Sequence, residues 1–518
     1  MQIAVVADVH LHDLYGGYGM VEEGSGGLAL RTLADTMAST RVFNESHAAF
    51  RAVLDDIVRR GIRDVVLLGD YSDDGQVDAV AAVKRLLSDY EDRYGLRFFA
   101  TFGNHDCYGP APHHLAKVLT QADGLEPLLV TSDDRAPAPA IVCPGMRGMS
   151  TAEAVEAMAP YGVARPASIL HWESPHETLE GGAPRHLPTD ERLHLDASYL
   201  VEPQEGLWLL MLDANVFHKI GDTWQVRADA AWDHVLAERP SLLTWIEDVA
   251  ERASRLAKTL LAFSHYPALP LALTREGNSV RAASTPDWSK RMPSPESGRR
   301  LARAGLRWHF SGHMHVAGRV ELEGLVNIAV PSPVAYPGGY VVVTAGAEQI
   351  EIEIASLEDV SDFDAAFPAY DVQSGDINSA CFAKVLACKT YAEFLRVHLQ
   401  NLIETKHSPD DWPPELLACL DVPIGRLFRE DAGLAGLPVR HSEVMSQPFR
   451  QMVEDYYLLR AAGRHALGDI PAERVAFYRD LAKHLSSQER VEIGLSGEVT
   501  KFLELFAACT HFDDWLDH

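Results

Sequence analysis

Five short apolar runs in this 518-residue chain each end on donors suited to hard or borderline metal ions. No other feature constrains the fold as much. The runs end at Asp8-Val9-His10, Gly69-Asp70, Gly103-Asn104-His105-Asp106, Ser264-His265 and Gly312-His313-Met314-His315. Apolar stretches this short, closed by such turns, read as buried strands. A helix through Phe50, Leu54, Ile57 and Val58 is expected between the first two, capped by Asn44 or Ser46 and stopped by Gly61. A second helix over 80–94 leads to the third strand. This β-α-β-α-β rhythm predicts an α/β sheet with its ligand residues at strand C-terminal ends, where open α/β sheets place their sites. Further strands are expected at 207–212, 259–263, 306–310, 316–322, 326–330 and 340–354, with a helix over 242–257.

Two regions break the rhythm. The Gly-rich segment 16–27 reads as a surface loop. Residues 107–200, rich in Pro, His and charge, read as an insertion of loops and short helices beside the site. After Ala355, strand-like runs give way to helical periodicity in Phe382, Val385, Leu386, Tyr391, Phe394, Leu395 and Leu399. Helices are also expected near 446–463, 471–485 and 488–509. The chain thus divides into a catalytic domain over 1–355 and an α-helical C-terminal extension over 356–518.

Charge narrows the partners. With 46 Lys and Arg against 74 Asp and Glu, the net charge is −28. Such a surface speaks against long nucleic acids, whose binding needs cations that displace counterions, and against anionic membranes. The sequence has no apolar run of transmembrane length and no basic leader at Met1. Its six cysteines show no paired spacing. A reducing, cytoplasmic setting is the expectation.

Each of the five motifs is ordinary alone; their joint occurrence at strand ends is not. Two metal ions about 3.5–4 Å apart can hold a bridging hydroxide and clamp a phosphoryl group. Asp70 has the short stem and two oxygens that a bridging ligand needs. Asp8 and His10, two apart on an extended chain, share a face. Imidazoles suit Zn, Fe and Mn, and carboxylate and amide oxygens favour harder ions. The glycines before Asp70, Asn104 and His313 permit tight turns and close approach of backbone to the site.

The five blocks, in this order, resemble the calcineurin-like metallophosphoesterase superfamily, whose pattern is D-x-H, G-D, G-N-H-[DE], H and G-H-x-H. The resemblance covers about residues 1–330. It implies a four-layer α/β/β/α sandwich and two metal ions, Mn, Fe or Zn. Asp8, His10, Asp70 and His315 would hold the first ion, and Asp70, Asn104, His265 and His313 the second. His105 would assist the leaving oxygen, and Asp106 would orient His105. Within the superfamily the chain looks most like bacterial class III cyclic-nucleotide phosphodiesterases. It has Asp-x-His where purple acid phosphatases carry Asp-x-Gly, and Gly69-Asp70-Tyr71-Ser72-Asp73-Asp74-Gly75 is similar to that branch's turn.

The implied function is hydrolysis of small phosphodiesters, with bridging hydroxide as nucleophile. A phosphomonoesterase, a nuclease and a non-catalytic metal-binding scaffold are the alternatives. Arg31, Arg41, Asn44 and His47 are candidates for a lid that binds substrate, and Tyr266 for a contact beside it. His113, His114, His171, His176, His186 and His194 show no tight ligand spacing. Cys107 reads as a buried small side chain, and Asp213 as a turn-stabilising carboxylate. The helical tail is expected either to pack over the site or to form a homo-oligomer interface.

Overall fold

The computed structural model describes residues 1–21, 27–175, 196–221, 223–229, 231–271, 290–346, 349–375, 380–430 and 442–485, with Val499, Phe502, Leu503 and Phe506. The side chains of 380–381, 429–430 and 482–485 are excepted. His176, His186, His194 and all but four residues of the expected helix 488–509 lie outside this set.

Two sheets face each other. In the first, the strands run in the order Ile350–Ser356, Gly339–Ala345, Gln2–Val6, Asp64–Leu68 and Arg97–Thr101. The last three are parallel. The second sheet runs Gly318–Leu322, Leu325–Ala329, Trp308–Ser311, Thr259–Phe263, Leu207–Met211, Tyr199–Gln204 and His171–Glu173. Its four middle strands are parallel. Asp64–Leu68 and Leu207–Met211 are buried along their whole length, as parallel strands covered on both faces must be. The sheets also bond directly: the Tyr199 hydroxyl donates to the Ala100 carbonyl at 3.0 Å, and the Thr101 hydroxyl to the Leu212 carbonyl at 3.1 Å.

Helices cover both outer faces. Ser46–Arg59 buries Phe50, Val53, Leu54 and Ile57, the i, i+3, i+4, i+7 stripe of a surface helix. Val77–Tyr94 lies beside it and ends at Gly95, whose φ of 69° supplies the left-handed cap. On the second sheet, Ala231–Glu238, Pro240–Arg255 and Pro295–Arg303 pack against Trp208, Leu210 and Leu212. The α/β/β/α order is as expected. Neither predicted cap serves the first helix, however. The Asn44 amide bonds both backbone groups of Arg31, and the Ser46 hydroxyl bonds the His12 amide and the Phe43 carbonyl.

Two other expectations need correction. The expected strand 340–354 is a hairpin, Gly339–Ala345 with Ile350–Ser356. Residues 107–200 are not only loops and short helices. They supply Ala116–Gln121, Leu128–Thr131 and Ile141–Val142 to a four-stranded sheet, and two strands to the second large sheet. The fourth strand of the small sheet, Ala29–Arg31, directly follows the Gly-rich loop. Pairing across some ninety residues of sequence leaves no local signal, because alternation in strands this short is weak.

Beyond Ser356 the described elements are helices, among them Phe367–Ser374, Tyr391–Leu402, Phe449–Ala462 and Ala472–Leu485. None of the described helices is long and apolar enough to cross a membrane. This region shares the core of the sheets: one apolar cluster runs from Ile3 through Phe394 and Leu395 to Phe506. Polar ties reinforce it. The Tyr391 hydroxyl donates to the Pro333 carbonyl at 2.8 Å, and the His398 ring lies 2.9 Å from the Thr36 carbonyl. The Tyr370 hydroxyl donates to Glu45 at 3.0 Å and accepts from Asn44 at 2.7 Å.

Truncation after Ala355 should therefore leave a fragment without a cooperative thermal transition that binds a hydrophobic dye, checked by calorimetry and ANS fluorescence. A second prediction concerns Glu45. Burial pushes its carboxyl up from about 4.5 to about 7, against the opposing hydrogen bond from Tyr370. Between these values the folded state keeps a proton that the unfolded state has lost. Stability should fall as pH rises through that window, by on the order of 3 kcal/mol in all. Glu45→Gln should gain stability relative to the parent at pH 8 but not at pH 4, measured by denaturant titration.

Candidate metal centre

All five ligand blocks follow the C-terminal ends of parallel strands, three in the first sheet and two in the second. They meet at one rim. The backbone amide of His313 donates to both oxygens of Asp8, at 3.1 and 3.0 Å, joining the two sheets. The amide of Gly312 donates to the His265 carbonyl at 2.9 Å. Asp8, His10, Asp70, His313 and His315 all have positive φ, between 45° and 69°. Nine described non-glycine residues do so, and five of them are expected ligands. Left-handed backbone is costly for such residues and concentrates where surrounding structure enforces it for function.

The glycines of the motifs serve close approach. A Cβ on Gly312 would stand 2.5 Å from Asp8 Oδ2, and one on Gly103 would overlap Asp70 Oδ1. Asp106 holds the same turn from below. Its carboxylate accepts the amides of Asp70 at 2.6 Å and Gly103 at 2.8 Å, with the Ser72 hydroxyl at 3.4 Å. It does not bond His105, so its expected orienting role is corrected: Asp106 shapes the backbone that carries Asp70. Burial and the Asp70 charge push its carboxyl up to about 7.

The side chains converge in two overlapping sets. Nε2 of His10 and Nε2 of His315 lie 3.1 Å apart, and His315 Nε2 is 3.4 Å from Asp8 Oδ1. Asp8, His10 and His315 form one group able to hold a cation. On the other side, His265 Nε2 lies 3.1 Å from Asn104 Oδ1 and 3.2 Å from Asp70 Oδ2. His313 Nδ1 is 2.9 Å from the same Asn104 oxygen. Asp70 Oδ2 is also 3.7 Å from His10 Nε2. That oxygen therefore sits between the two sets, where a shared ligand belongs. Asp8 Oδ1 is 4.0 Å from both His10 Nε2 and His265 Nε2 and 3.4 Å from His315 Nε2, and Asp8, Asp70 and His265 form a second group able to hold a cation.

The chemistry of these donors fits two metal ions. Burial, reinforced by Arg41 and the neighbouring imidazoles, holds His10 well below the usual histidine range, so its ring is a neutral lone-pair donor. Burial and His265 do the same to His313. Two ring nitrogens facing each other at 3.1 Å can share one proton in a hydrogen bond, and the same two lone pairs can both serve a cation. His265 bonds the Leu68 carbonyl through Nδ1 at 3.1 Å, which aims Nε2 at the site. Burial disfavours its charge, yet Asp70 and Asp8 outweigh this and push it up to about 9. The cluster thus demands positive charge at the point where the second ion would lie.

His105 stands beside the first set, its ring edge-on to His10 at 5.0 Å between centroids. Its amide donates to Asp70 Oδ1 at 2.7 Å, and its Nδ1 lies 2.5 Å from Asp74 Oδ1. Asp74 is therefore the residue that orients His105. Burial opposes its ionisation, but Lys117, His105 and Arg41 hold it well below the usual carboxylate range. Lys117 also pairs with Asp73, as do Arg31 and Arg41 at 3.2 Å. Asp73-Asp74 was visible as an acid pair just after Asp70. Lys117 carried no signal, because it arrives on the small sheet.

The expected substrate contacts divide. Arg41 stays close to the site through Asp73 and Asp74, and Arg31 is tied to Asp73 and Asp35. Asn44 is spent on Arg31 and Tyr370. His47 packs edge-on against Tyr15. Tyr266 is buried: its hydroxyl donates to Asn215 at 2.8 Å and its ring lies 4.8 Å from that of His313. It supports the ligands from behind, which corrects its expected substrate contact. Asp213 accepts the amides of Ala197 and Asn215. Cys107 is buried and accepts from Thr151, and its thiol is pushed up by burial.

Residues 1–139 match the family model described as calcineurin-like phosphoesterase. No curated protein matches the chain. Solved structures similar to it include a dimetal phosphatase from Danio rerio, at 14% identity and a TM-score of 0.39, covering 69% of this chain and 96% of that one. Phosphopantetheinyl hydrolase from Mycobacterium tuberculosis has 11% identity and a TM-score of 0.26, covering 64% and 90%. The 5′-nucleotidase precursor from Thermus thermophilus has 13% and 0.28, covering 73% and 60%. Likeness at this level carries no argument about activity.

Gly103→Ala should displace Asp70 and lower the metal content of the purified protein by about one ion per chain, since removing support for a ligand commonly costs roughly 10–100-fold in affinity. Elemental analysis against the parent checks this. An unchanged metal content would contradict the cradle described above.

Proposed function

We propose that this chain, whose residues 1–139 carry the calcineurin-like phosphoesterase signature, is a dinuclear-metal-dependent phosphoester hydrolase acting on small phosphodiesters. The observation that carries this reading is the convergence of two overlapping donor sets on Asp70, with the oriented imidazole of His105 at their edge. Asp8, His10, Asp70 and His315 would hold one ion, and Asp70, Asn104, His265 and His313 the other. When bound, such a pair lowers the pKa of water and neutralises charge on a phosphoryl group.

The chain's own residues do the rest. Asp74, kept ionised by its cations, accepts the Nδ1 proton of His105 and fixes the ring. Nε2 of this partly exposed side chain would donate to the departing oxygen when the ring carries a second proton. Arg41 and Lys117 do not need to touch substrate for this. They hold Asp73 and Asp74 as carboxylates in a buried place where unpaired charge is costly. A phosphomonoesterase would use the same groups and differ only in the walls of the site.

Hydrolysis of bis-p-nitrophenyl phosphate with Mn, Zn or Fe, beside p-nitrophenyl phosphate, tests the reading and separates diester from monoester. Asp70→Ala should abolish turnover, and activity that survives both this change and chelation would sink the proposal. Asp74→Asn should keep the metal content but lower kcat by about 10- to 100-fold for a substrate with a poor leaving group. The effect should shrink with p-nitrophenolate, which departs without a proton. Asp106→Asn should act instead through metal content.

A further inference from the structure

A cavity of about 140 Å³ opens beside the ligand loop, and the C-terminal helices build much of its wall. The rings of His313 and His315 line one side. Leu399, Leu402, Tyr457 and Arg460 also line the cavity. The contact is held by backbone, since the Ala317 amide donates to the Ala461 carbonyl at 2.7 Å. The helical region is therefore part of the site's surroundings, not an appendage to it.

The lining has a specific chemistry. Val316, Leu399 and Leu402 make an apolar body. Arg460 and Asp411 form a buried pair at 2.9 Å, and Asp411 also accepts the Tyr457 hydroxyl at 2.9 Å. That pair is internally neutral. His407 stacks on Tyr457 with ring centroids 5.5 Å apart, and burial pulls its pKa down to about 3, so it adds no charge near neutrality. Of the remaining charges among the described lining residues, Arg291 and Lys406 are positive and Asp410 is negative. The described lining thus has a positive excess within a chain of net charge −28. Like charge in excess beside a cationic metal pair is unfavourable unless an anion joins it.

We propose that this cavity seats the organic part of the phosphoester, and that this part carries a second anionic group, carboxylate or phosphate, recognised by Arg291 and Lys406. The proposal rests on reading the metal centre as a phosphoester site. It expects an apolar linker between the scissile phosphate on the metals and the second anion at Arg291 and Lys406. It also gives residues 356–518 a role: they set which ester the metals receive.

The test is calorimetric binding to the metal-loaded full chain, with three three-carbon probes: propyl phosphate, 3-phosphoglycerate and 1,3-propanediol bisphosphate. The two doubly anionic probes should bind about tenfold tighter than propyl phosphate, as charge-assisted hydrogen bonds would give. In the Arg291→Gln, Lys406→Gln double variant this advantage should vanish, with propyl phosphate still bound. If only 3-phosphoglycerate or only the bisphosphate gains, the second anion is identified as carboxylate or phosphate. Equal binding of all three probes to the parent, or an advantage that persists in the double variant, would overturn the proposal. Failure of the phosphoester reading looks different: propyl phosphate itself would not bind.

Discussion

The contact on which the structure most depends is the one between the His313 amide and the Asp8 carboxylate. It joins the ends of two sheets whose other contacts are mainly apolar, and it acts between two ligand residues, each in left-handed backbone. Apolar packing sets the distance between sheets but is indifferent to small slides along them. A bidentate bond at the rim is not indifferent: a shift of about an ångström breaks it. The buried carboxylate of Asp106 does the same for the neighbouring strands, tying the amides of Asp70 and Gly103 to one point. Strained ligand backbone persists here because bonds on several sides leave it no alternative.

The acidic character of the chain acquires a different meaning around His105. Buried Asp73 and half-buried Asp74 sit among Lys117, Arg31 and Arg41, three of the relatively few cations in the sequence. Removing one partner would strand a charge in a poorly solvated place, so the cluster stands or falls as a unit. Its members come from four separate stretches of chain. The orientation of one imidazole therefore depends on the docking of the small sheet against the large one.

What could be read from the sequence was whatever is local. The five strand ends announced themselves because a polar donor closing an apolar run is a contrast between neighbours, and the glycines beside them marked backbone that tolerates no Cβ. The small sheet in 107–200 was missed for the opposite reason: it pairs with Ala29–Arg31 across some ninety residues, and its short strands look like loops. The hairpin pairs locally, but its two runs lie close enough in sequence to read as one strand. The family resemblance assigned Asp106 to His105, whereas the turn carries its side chain beneath Asp70 and leaves the imidazole to Asp74. The tail's helices were legible from their period, but no pattern in them says which face meets His315.

The shared core and the Ala317–Ala461 bond have a consequence for the order of assembly. A chain made from its N-terminus presents Asp8, His10 and Asp70 long before the His313–His315 loop exists. That loop is not backed on its outer side until residue 461 has been added. The finished centre cannot precede residue 461. Maturation of the site is thereby tied to synthesis of the helical region, and a product ended between residues 315 and 461 would carry every expected ligand without the wall that holds the last two in place.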